Sequence, residues 1–205
     1  MRFFRPPAQA RFFHASPDAP PVDIYLNNKK VVSRLAFKNF SNYHKLKPGE
    51  YQLEIYPSSL PKLNPVFRKR ILLPPGSTYT VSIINRVNNL NILIINDPQK
   101  SPEENFNYLR AVHLSPNAPA VNIRANNFTI VRNLRYKDIS NYARLNPKTY
   151  DLTILTTTGK EVLKIPNQVL QSNFYQTLYI IGLIDGDNQL QTVITTDGIY
   201  QFRPL

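Results

Sequence analysis

The sequence contains no cysteine, and it has only three histidines and six glycines among its 205 residues. Without cysteine the chain can form no disulfide, no thiolate metal site and no cysteine nucleophile. Three histidines leave little for a zinc site. The sequence therefore predicts neither a metal centre nor a cofactor.

Long apolar segments are also missing. Residues 1–7 include Arg2 and Arg5 but no apolar stretch of ~7–15 residues, so the sequence predicts no secretory signal. The longest apolar run, Leu178–Ile184, is far shorter than the ~20 residues of a membrane-spanning helix, so no membrane insertion is expected. The location stays open between the cytoplasm, a spore layer and a surface reached by non-classical export.

Proline, in contrast, is abundant, with 18 residues, and 42% of the chain is hydrophobic. Each proline inside a helix removes a backbone donor and clashes with the preceding turn, so this content argues against long helices. The apolar content is high enough to form a core. These proportions favour a folded, all-β protein.

Positive charge is concentrated in the first half of the chain, and the total is +12. The first hundred residues hold 15 Lys/Arg against 5 Asp/Glu, and the remainder hold 10 against 8. Such an excess favours polyanionic partners such as nucleic acid or anionic wall polymers. The densest clusters are Lys29, Lys30, Lys45, Lys47, Arg68, Lys69 and Arg70. The alternative is that these side chains block edge-to-edge pairing of strands.

The most informative feature is an internal duplication. With a shift of 99 positions, residues 11–56 align with residues 110–155 without a gap, and about 21 of the 46 aligned pairs are identical. We therefore predict two homologous domains, 9–98 and 108–199, joined by a linker at 99–107 and flanked by short tails at 1–8 and 200–205.

Within each copy the hydrophobic residues alternate with a period of two, which indicates half-buried strands. Val22, Ile24 and Leu26 are expected to face inward, and the same pattern places Phe13 in the core. Seven short strands in ~90 residues predict two tandem β-sandwiches of the immunoglobulin-like or transthyretin-like type. Tyr43 and Tyr142 resemble the tyrosine corner of such sandwiches, whose hydroxyl binds the backbone.

Both copies share an ordered motif, His-x-Ser-Pro-[Asp/Asn]-Ala-Pro-x-Val-[Asp/Asn]-Ile, at 14–24 and 113–123. It is followed in the first copy by Leu35-Ala36-Phe37 and by Ser41-x-Tyr43-x-x-Leu46-x-Pro48-Gly49. Both copies resemble the domain-of-unknown-function 4397 family of bacterial and archaeal β-sandwich modules. The resemblance implies the fold and a surface or envelope setting. It implies no activity and no known site.

The His-x-Ser-Pro motif admits a hydrolase interpretation, in which Ser16 is the nucleophile and His14 its base. Copy two keeps His113 and Ser115 but replaces both motif aspartates with Asn117 and Asn122, which could not orient the base as carboxylates. A structural role for the motif is therefore favoured. Its members on this interpretation are His14, Ser16, Pro17, Tyr43, His113, Ser115, Pro116 and Tyr142.

Basic residues also alternate with aromatic ones at 2–5, 11–14 and 67–70, a composition that could bind single-stranded nucleic acid. No nucleic-acid-binding motif accompanies them, so this partner is disfavoured. The two tails share Phe-Arg-Pro, at 4–6 and 202–204, and could add as strands to a neighbouring subunit.

These observations predict a non-enzymatic structural or binding module, of a bacterial cell surface or spore layer, that contacts an anionic polymer through the first domain. The alternatives left open are a hydrolase using Ser16 and His14, and a non-specific nucleic-acid-binding protein.

Overall fold

A computed structural model describes residues 5–60, 64–185 and 187–198. The chain divides into two compact units, Met1–Gln99 (unit 1) and Lys100–Leu205 (unit 2). Apart from a 3₁₀ turn at Val87–Asn89, the regular elements of the described residues are all β-strands, so the all-β prediction is confirmed. No helix in this part of the chain is long and apolar enough to span a bilayer.

Unit 1 is a sandwich of two four-stranded sheets, in the orders β4-β1-β7-β8 and β3-β2-β5-β6. Strands β1 and β7 pair in parallel, and the other neighbours pair antiparallel. The strands are β1 (Ala8–His14), β2 (Val22–Leu26), β3 (Lys29–Leu35), β4 (His44–Leu46), β5 (Gly49–Pro57), β6 (Phe67–Leu73), β7 (Thr78–Ile84) and β8 (Asn91–Asn96).

Unit 2 repeats this topology, with sheets β12-β9-β15-β16 and β11-β10-β13-β14. Here β9 and β15 form the parallel pair. The strands are β9 (Asn107–His113), β10 (Val121–Ala125), β11 (Phe128–Leu134), β12 (Ala143–Leu145), β13 (Lys148–Thr156), β14 (Glu161–Leu170), β15 (Phe174–Ile181) and β16 (Gln191–Thr196). The prediction of two tandem sandwiches is confirmed, while the domain limits 9–98 and 108–199 remain predictions.

The core of unit 1 lies between its two sheets. Val22, Ile24 and Leu26 alternate with less buried residues along β2, as the period of two predicts. On β1, however, Phe12 belongs to this core, and Phe13 stacks on Phe40 at 3.9 Å between ring centroids. Phe13 is fully buried as expected, but by a loop instead of by the opposite sheet.

The described residues of each unit form eight strands, where the sequence predicts seven. The additional strand is β4 in unit 1 and β12 in unit 2, and each spans only three residues. A segment that short does not complete two periods of alternation, so its pattern carries no signal. Residues 1–4 and 200–205, which include most of the predicted tails, lie outside the described residues.

Candidate functional site

Four of the lysines singled out in the sequence line one cleft of unit 1, with a volume of about 380 Å³. We call it the lysine cleft. Lys29 and Lys30 come from β3, and Lys45 from β4, with Lys47 one residue beyond its end. Its other lining residues are Leu26, Val31, His44, Leu46 and Tyr51.

Local structure explains why these lysines meet. Asn27 and Asn28 adopt positive φ, 48° and 64°, in the tight turn that joins β2 to β3, so β3 begins directly with Lys29. Strand β3 is the edge of one sheet and β4 is the edge of the other. The cleft therefore draws its charge from both sheets.

The lysines differ in their partners. Lys30 Nζ lies 2.5 Å from Asp23 Oδ2, and its charge is thereby neutralised locally. Lys29, Lys45 and Lys47 have no acidic partner among the residues that the structure describes. These three lysines leave the cleft positively charged.

Asp23 is held as a carboxylate. Partial burial raises its pKa, but hydrogen bonds from Lys30, from the Ser58 hydroxyl and from the backbone N–H of Arg34 outweigh burial and lower the pKa to about 2. Inside the cleft, burial lowers the pKa of His44, which favours the neutral ring at pH 7.

Arg68, Lys69 and Arg70 do not reach this cleft. They lie on β6, at the opposite edge of the sheet that holds β3. Three strand spacings of ~4.8 Å put the two edges about 14 Å apart. Arg68 Nη2 also binds Glu54 Oε1 at 2.8 Å, and Glu54 is almost completely buried. Arg68 thus has a structural partner, and Lys69 and Arg70 are exposed but point to opposite faces of the sheet, because they are consecutive on a strand.

Unit 2 has no comparable concentration of charge at the matching place. The positions aligned with Lys29, Lys30, Lys45 and Lys47 hold Phe128, Thr129, Arg144 and Asn146. Arg144 Nη1 lies 3.5 Å from Glu103 Oε2, and its guanidinium lies 4.5 Å from the centroid of the Phe106 ring. The lysine cleft is therefore a property of the first copy.

The two histidines of the shared motif lie in the interior of their units. His14 and His113 are fully buried, and each Nε2 donates to a carbonyl of its own loop, that of Pro20 or Pro119, at 3.1 Å. Burial lowers the pKa of both rings, so both are neutral at pH 7. The rings connect the end of one strand to the segment that begins the next.

Ser16 and Ser115 are fully buried as well, and Pro17 and Pro116 follow them in the loops after β1 and β9. A substrate cannot reach a side chain with no exposed surface. The geometry therefore does not support a hydrolase that uses Ser16 with His14.

The motif aspartates bind backbone groups instead of orienting a histidine. Asp18 Oδ1 accepts the Val87 N–H at 2.8 Å, and in unit 2 the side-chain oxygen of Asn117 accepts that of Ile184 at 3.1 Å. Asp23 and Asn122 likewise each accept a backbone N–H at 2.9 Å. An amide oxygen accepts as a carboxylate oxygen does, which explains why copy two can carry asparagine.

Tyr43 takes part in a buried polar network that the sequence did not reveal. Its hydroxyl donates to Asp97 Oδ2 at 2.7 Å, and Thr80 Oγ1 donates to the same oxygen at 2.6 Å. Arg11 Nε donates to Thr80 at 2.7 Å, and its guanidinium lies 4.8 Å from the centroid of the Tyr43 ring.

The network recurs in unit 2. Tyr142 donates to Asp197 Oδ2 at 2.8 Å, Thr177 donates to the same oxygen, and Arg110 Nε donates to Thr177 at 2.8 Å. The backbone bond expected of a tyrosine corner is made by another residue: the Tyr51 hydroxyl donates to the Lys47 carbonyl at 2.7 Å.

The basic and aromatic run at 11–14 does not form a stacking surface for bases. Arg11, Phe12 and Phe13 are all buried, and Phe67 is packed against the core of unit 1. Residues 2–4 lie outside the described residues. The described part of these runs therefore gives no support to nucleic-acid binding.

Sequence reasoning missed two cleft residues, His44 and Tyr51. His44 precedes Lys45 and Tyr51 lies four positions after Lys47, but neither side chain belongs to a cluster of basic residues. His44 lies on β4 and Tyr51 on β5 of the other sheet, so only the packing of the two sheets brings both into the cleft.

Comparison with known proteins adds a family. The protein-family model described as "Domain of unknown function (DUF4397)" matches the chain twice, over residues 8–124 and 107–201. A search of curated proteins finds no match. A solved structure of a candidate cell adhesion protein from Bacteroides fragilis aligns with 98% of this chain and 100% of its own, at 8% identity and a TM-score of 0.22. That score is too low to support an argument about this chain.

Proposed function

The chain belongs to the DUF4397 family of domains of unknown function, and we propose that it is a non-enzymatic binding module that holds an anionic polymer in the lysine cleft of unit 1. The proposed setting is a bacterial cell surface or a spore layer, and the polymer a phosphate-bearing wall or spore polymer. Unit 2 serves as a related scaffold without this contact.

The observation that carries the proposal is that three lysines from the edge strands of two different sheets, together with Lys47 beside them, line one cleft. Three of them have no acidic partner among the described residues, so their mutual repulsion is not relieved within that part of the chain. A bound polyanion relieves this repulsion and gains electrostatic energy at each phosphate.

Edge protection accounts for some of this charge, since lysines on edge strands prevent pairing with other chains. Unit 2 indicates how much charge that protection needs. Its equivalent edge strands, β11 and β12, carry one arginine each, Arg132 and Arg144. Unit 1 places four basic residues on β3 and β4, which are Lys29, Lys30, Arg34 and Lys45, with Lys47 beside them. The additional positive charge on unit 1, beyond the amount that edge protection needs, supports a bound anionic ligand.

The test replaces Lys29, Lys45 and Lys47 together with glutamine in the full chain. The matched control makes the same change in net charge in unit 2, at Lys137, Lys148 and Lys160. Binding of poly(glycerol phosphate) is measured by calorimetry between 50 and 200 mM salt. We expect the cleft variant to bind at least tenfold more weakly and the control to bind like wild type.

The salt dependence gives a second readout. On nucleic acids each lysine–phosphate contact contributes about 0.7–0.9 to the slope of log affinity against log salt, and on this scale the loss of three contacts should reduce the slope by about 2–3. Equal weakening in the cleft variant and the control would show that net charge, not the cleft, governs binding. Wild-type affinity that does not change with salt would overturn the proposal.

A further inference from the structure

The edge strands of the two units are protected unequally. In unit 1 the edges β3, β4 and β6 all carry lysine or arginine, and in unit 2 β11, β12 and β14 all carry charged residues. Strand β14 also contains Pro166, which cannot donate to a further strand. Only β8 and β16 among the described edges carry no charge.

Strand β8 is the more apolar of the two. Its sequence, Asn91-Ile-Leu-Ile-Ile-Asn96, holds four consecutive Ile/Leu residues without proline, glycine or charge. By contrast, β16 reads Gln-Thr-Val-Ile-Thr-Thr. A short, uncharged strand of high β propensity at a sheet edge is a template for pairing with another chain.

The backbone of β8 is already fixed for such pairing. It is paired with β7 over its whole length on one side, and no strand of the described residues lies on its other side. Ile92 and Ile95 are buried, and Leu93 and Ile94 are half-buried. A pre-ordered edge loses little conformational entropy when it binds.

We propose that β8 is a self-association edge, which pairs antiparallel with β8 of a second copy of this chain and joins two four-stranded sheets into one of eight. The charges on the edge strands indicate which edge of a second copy can pair with β8. Each copy carries +12, and pairing through β3, β4 or β6 would bring rows of like charges together. Strand β8 is the edge of unit 1 at which two copies can approach without that repulsion.

A two-fold axis restricts the register. Residues directly opposite each other in an antiparallel pair point to the same face of the sheet, so only positions of equal parity can oppose each other. The two allowed registers that pair β8 over most of its length place Leu93 opposite Leu93 of the second copy, or Ile94 opposite Ile94. Both registers place a pair of apolar side chains at the axis.

The inference is independent of polymer binding, and salt separates the two. Salt screens the repulsion between two positively charged copies, so the dimer should tighten as salt rises. Binding of a polyanion weakens under the same conditions. Failure of one proposal therefore leaves the other open to its own test.

The first test uses Leu93→Lys, with Val193→Lys as the matched control at the equivalent position of β16. The two positions are equivalent because their partners match: Leu93 pairs with Ser82 on β7, and Val193 pairs with Tyr179, the corresponding residue of β15. Light scattering should find wild type and Val193→Lys dimeric and Leu93→Lys monomeric. Circular dichroism and thermal unfolding check that both variants are folded.

The second test exploits the absence of cysteine. Leu93→Cys or Ile94→Cys gives the chain a single thiol, and cross-strand neighbours have Cβ atoms within ~4.5–5.5 Å, close enough for a disulfide after small adjustment. Mild oxidation should covalently link the dimer through the position on the axis, whereas Val193→Cys should stay unlinked. A monomeric wild type at 0.1 mM and 0.5 M salt, or linkage through Val193→Cys alone, would overturn the inference.

Discussion

Units 1 and 2 share several buried polar side chains and differ at the lysine cleft. His14 and His113 bind their own loops at the same distance, and the networks around Asp97 and Asp197 use the same residue types. The cleft of unit 1, in contrast, is replaced by Phe128, Thr129, Arg144 and Asn146.

This contrast distinguishes the residues that stabilise the fold from the residues that are candidates for binding. The shared histidines and the networks around Asp97 and Asp197 are buried and bind their own fold, so they are explained without a ligand. The cleft lysines, which only unit 1 has, are at its surface and bring like charges together, an arrangement that costs free energy in the absence of a partner. The difference between the units is therefore a better guide to function than the shared motif.

The prediction with the largest expected effect concerns the buried polar network that the two units share. Asp97→Ala removes the carboxylate that accepts from Tyr43 and Thr80, and leaves the Arg11 guanidinium in a buried site without it. Breaking a buried charged network by removing one partner costs about 3–5 kcal/mol. Asp197→Ala should cost unit 2 a similar amount.

Urea unfolding of both variants, followed by circular dichroism, measures these losses. A loss below about 1 kcal/mol in either unit, or a strongly unequal pair, would contradict the view that the network serves the fold alone. Tyr43→Phe and Tyr142→Phe provide a milder comparison, because each removes one hydroxyl and should cost about 1–2 kcal/mol.

The second prediction concerns the transfer of the lysine pattern of unit 1 to unit 2. Phe128→Lys, Thr129→Lys and Asn146→Lys give unit 2 the lysine pattern of unit 1, beside its own Arg144. The graft is made in the variant whose unit 1 cleft has been neutralised, which is expected to bind poly(glycerol phosphate) tenfold more weakly than wild type. A tenfold loss of affinity corresponds to about 1.4 kcal/mol, and we expect the graft to restore most of it.

A control graft adds three lysines at exposed positions elsewhere in unit 2, at Thr157, Thr158 and Gln189. It restores the same net charge without a cleft. Recovery by the control graft to the same extent would mean that any cluster of lysines suffices, and that the geometry of the cleft has no role.

Much of the fold could be predicted from the sequence, because its signals are repeated or periodic. The duplication predicts two units, and the alternation of Val22, Ile24 and Leu26 predicts β2 and its buried face. The signals fail where a residue's role depends on another segment. Phe12 and Phe13 are both buried, on opposite faces of β1, and the pattern of one strand cannot show that a loop covers its second face.

The site was predictable only in part, for a similar reason. Charge density selected Lys29, Lys30, Lys45 and Lys47, but also Arg68, which is bound to Glu54. Ion pairing between β5 and β6 depends on strand register, which composition does not contain. The partner of Tyr43, Asp97, lies 54 positions along the chain, and nothing near either residue signals the contact.

The smallest expected effect concerns Asp23, whose counterpart in unit 2 is Asn122. The pKa of Asp23 is lowered from 3.8 to about 2, so its ionised form is favoured by folding. That contribution to stability is present above about pH 4 and is lost as the pH falls towards 2. Asp23→Asn should abolish this part of the pH dependence. At pH 7 it should cost less than about 1 kcal/mol, because the amide oxygen can still accept the Arg34 N–H and the pair with Lys30 is partly exposed.

The measurement is the difference in free energy of unfolding between wild type and Asp23→Asn from pH 7 to pH 2. His14 and His113, whose pKa values burial lowers, destabilise both proteins alike as the pH falls below 6.5, so the difference isolates Asp23. The two curves should converge as Asp23 is protonated. Parallel curves across the whole range would show that Asp23 is not stabilised as a carboxylate. Unit 1 would then differ from unit 2 at this corner only in sequence.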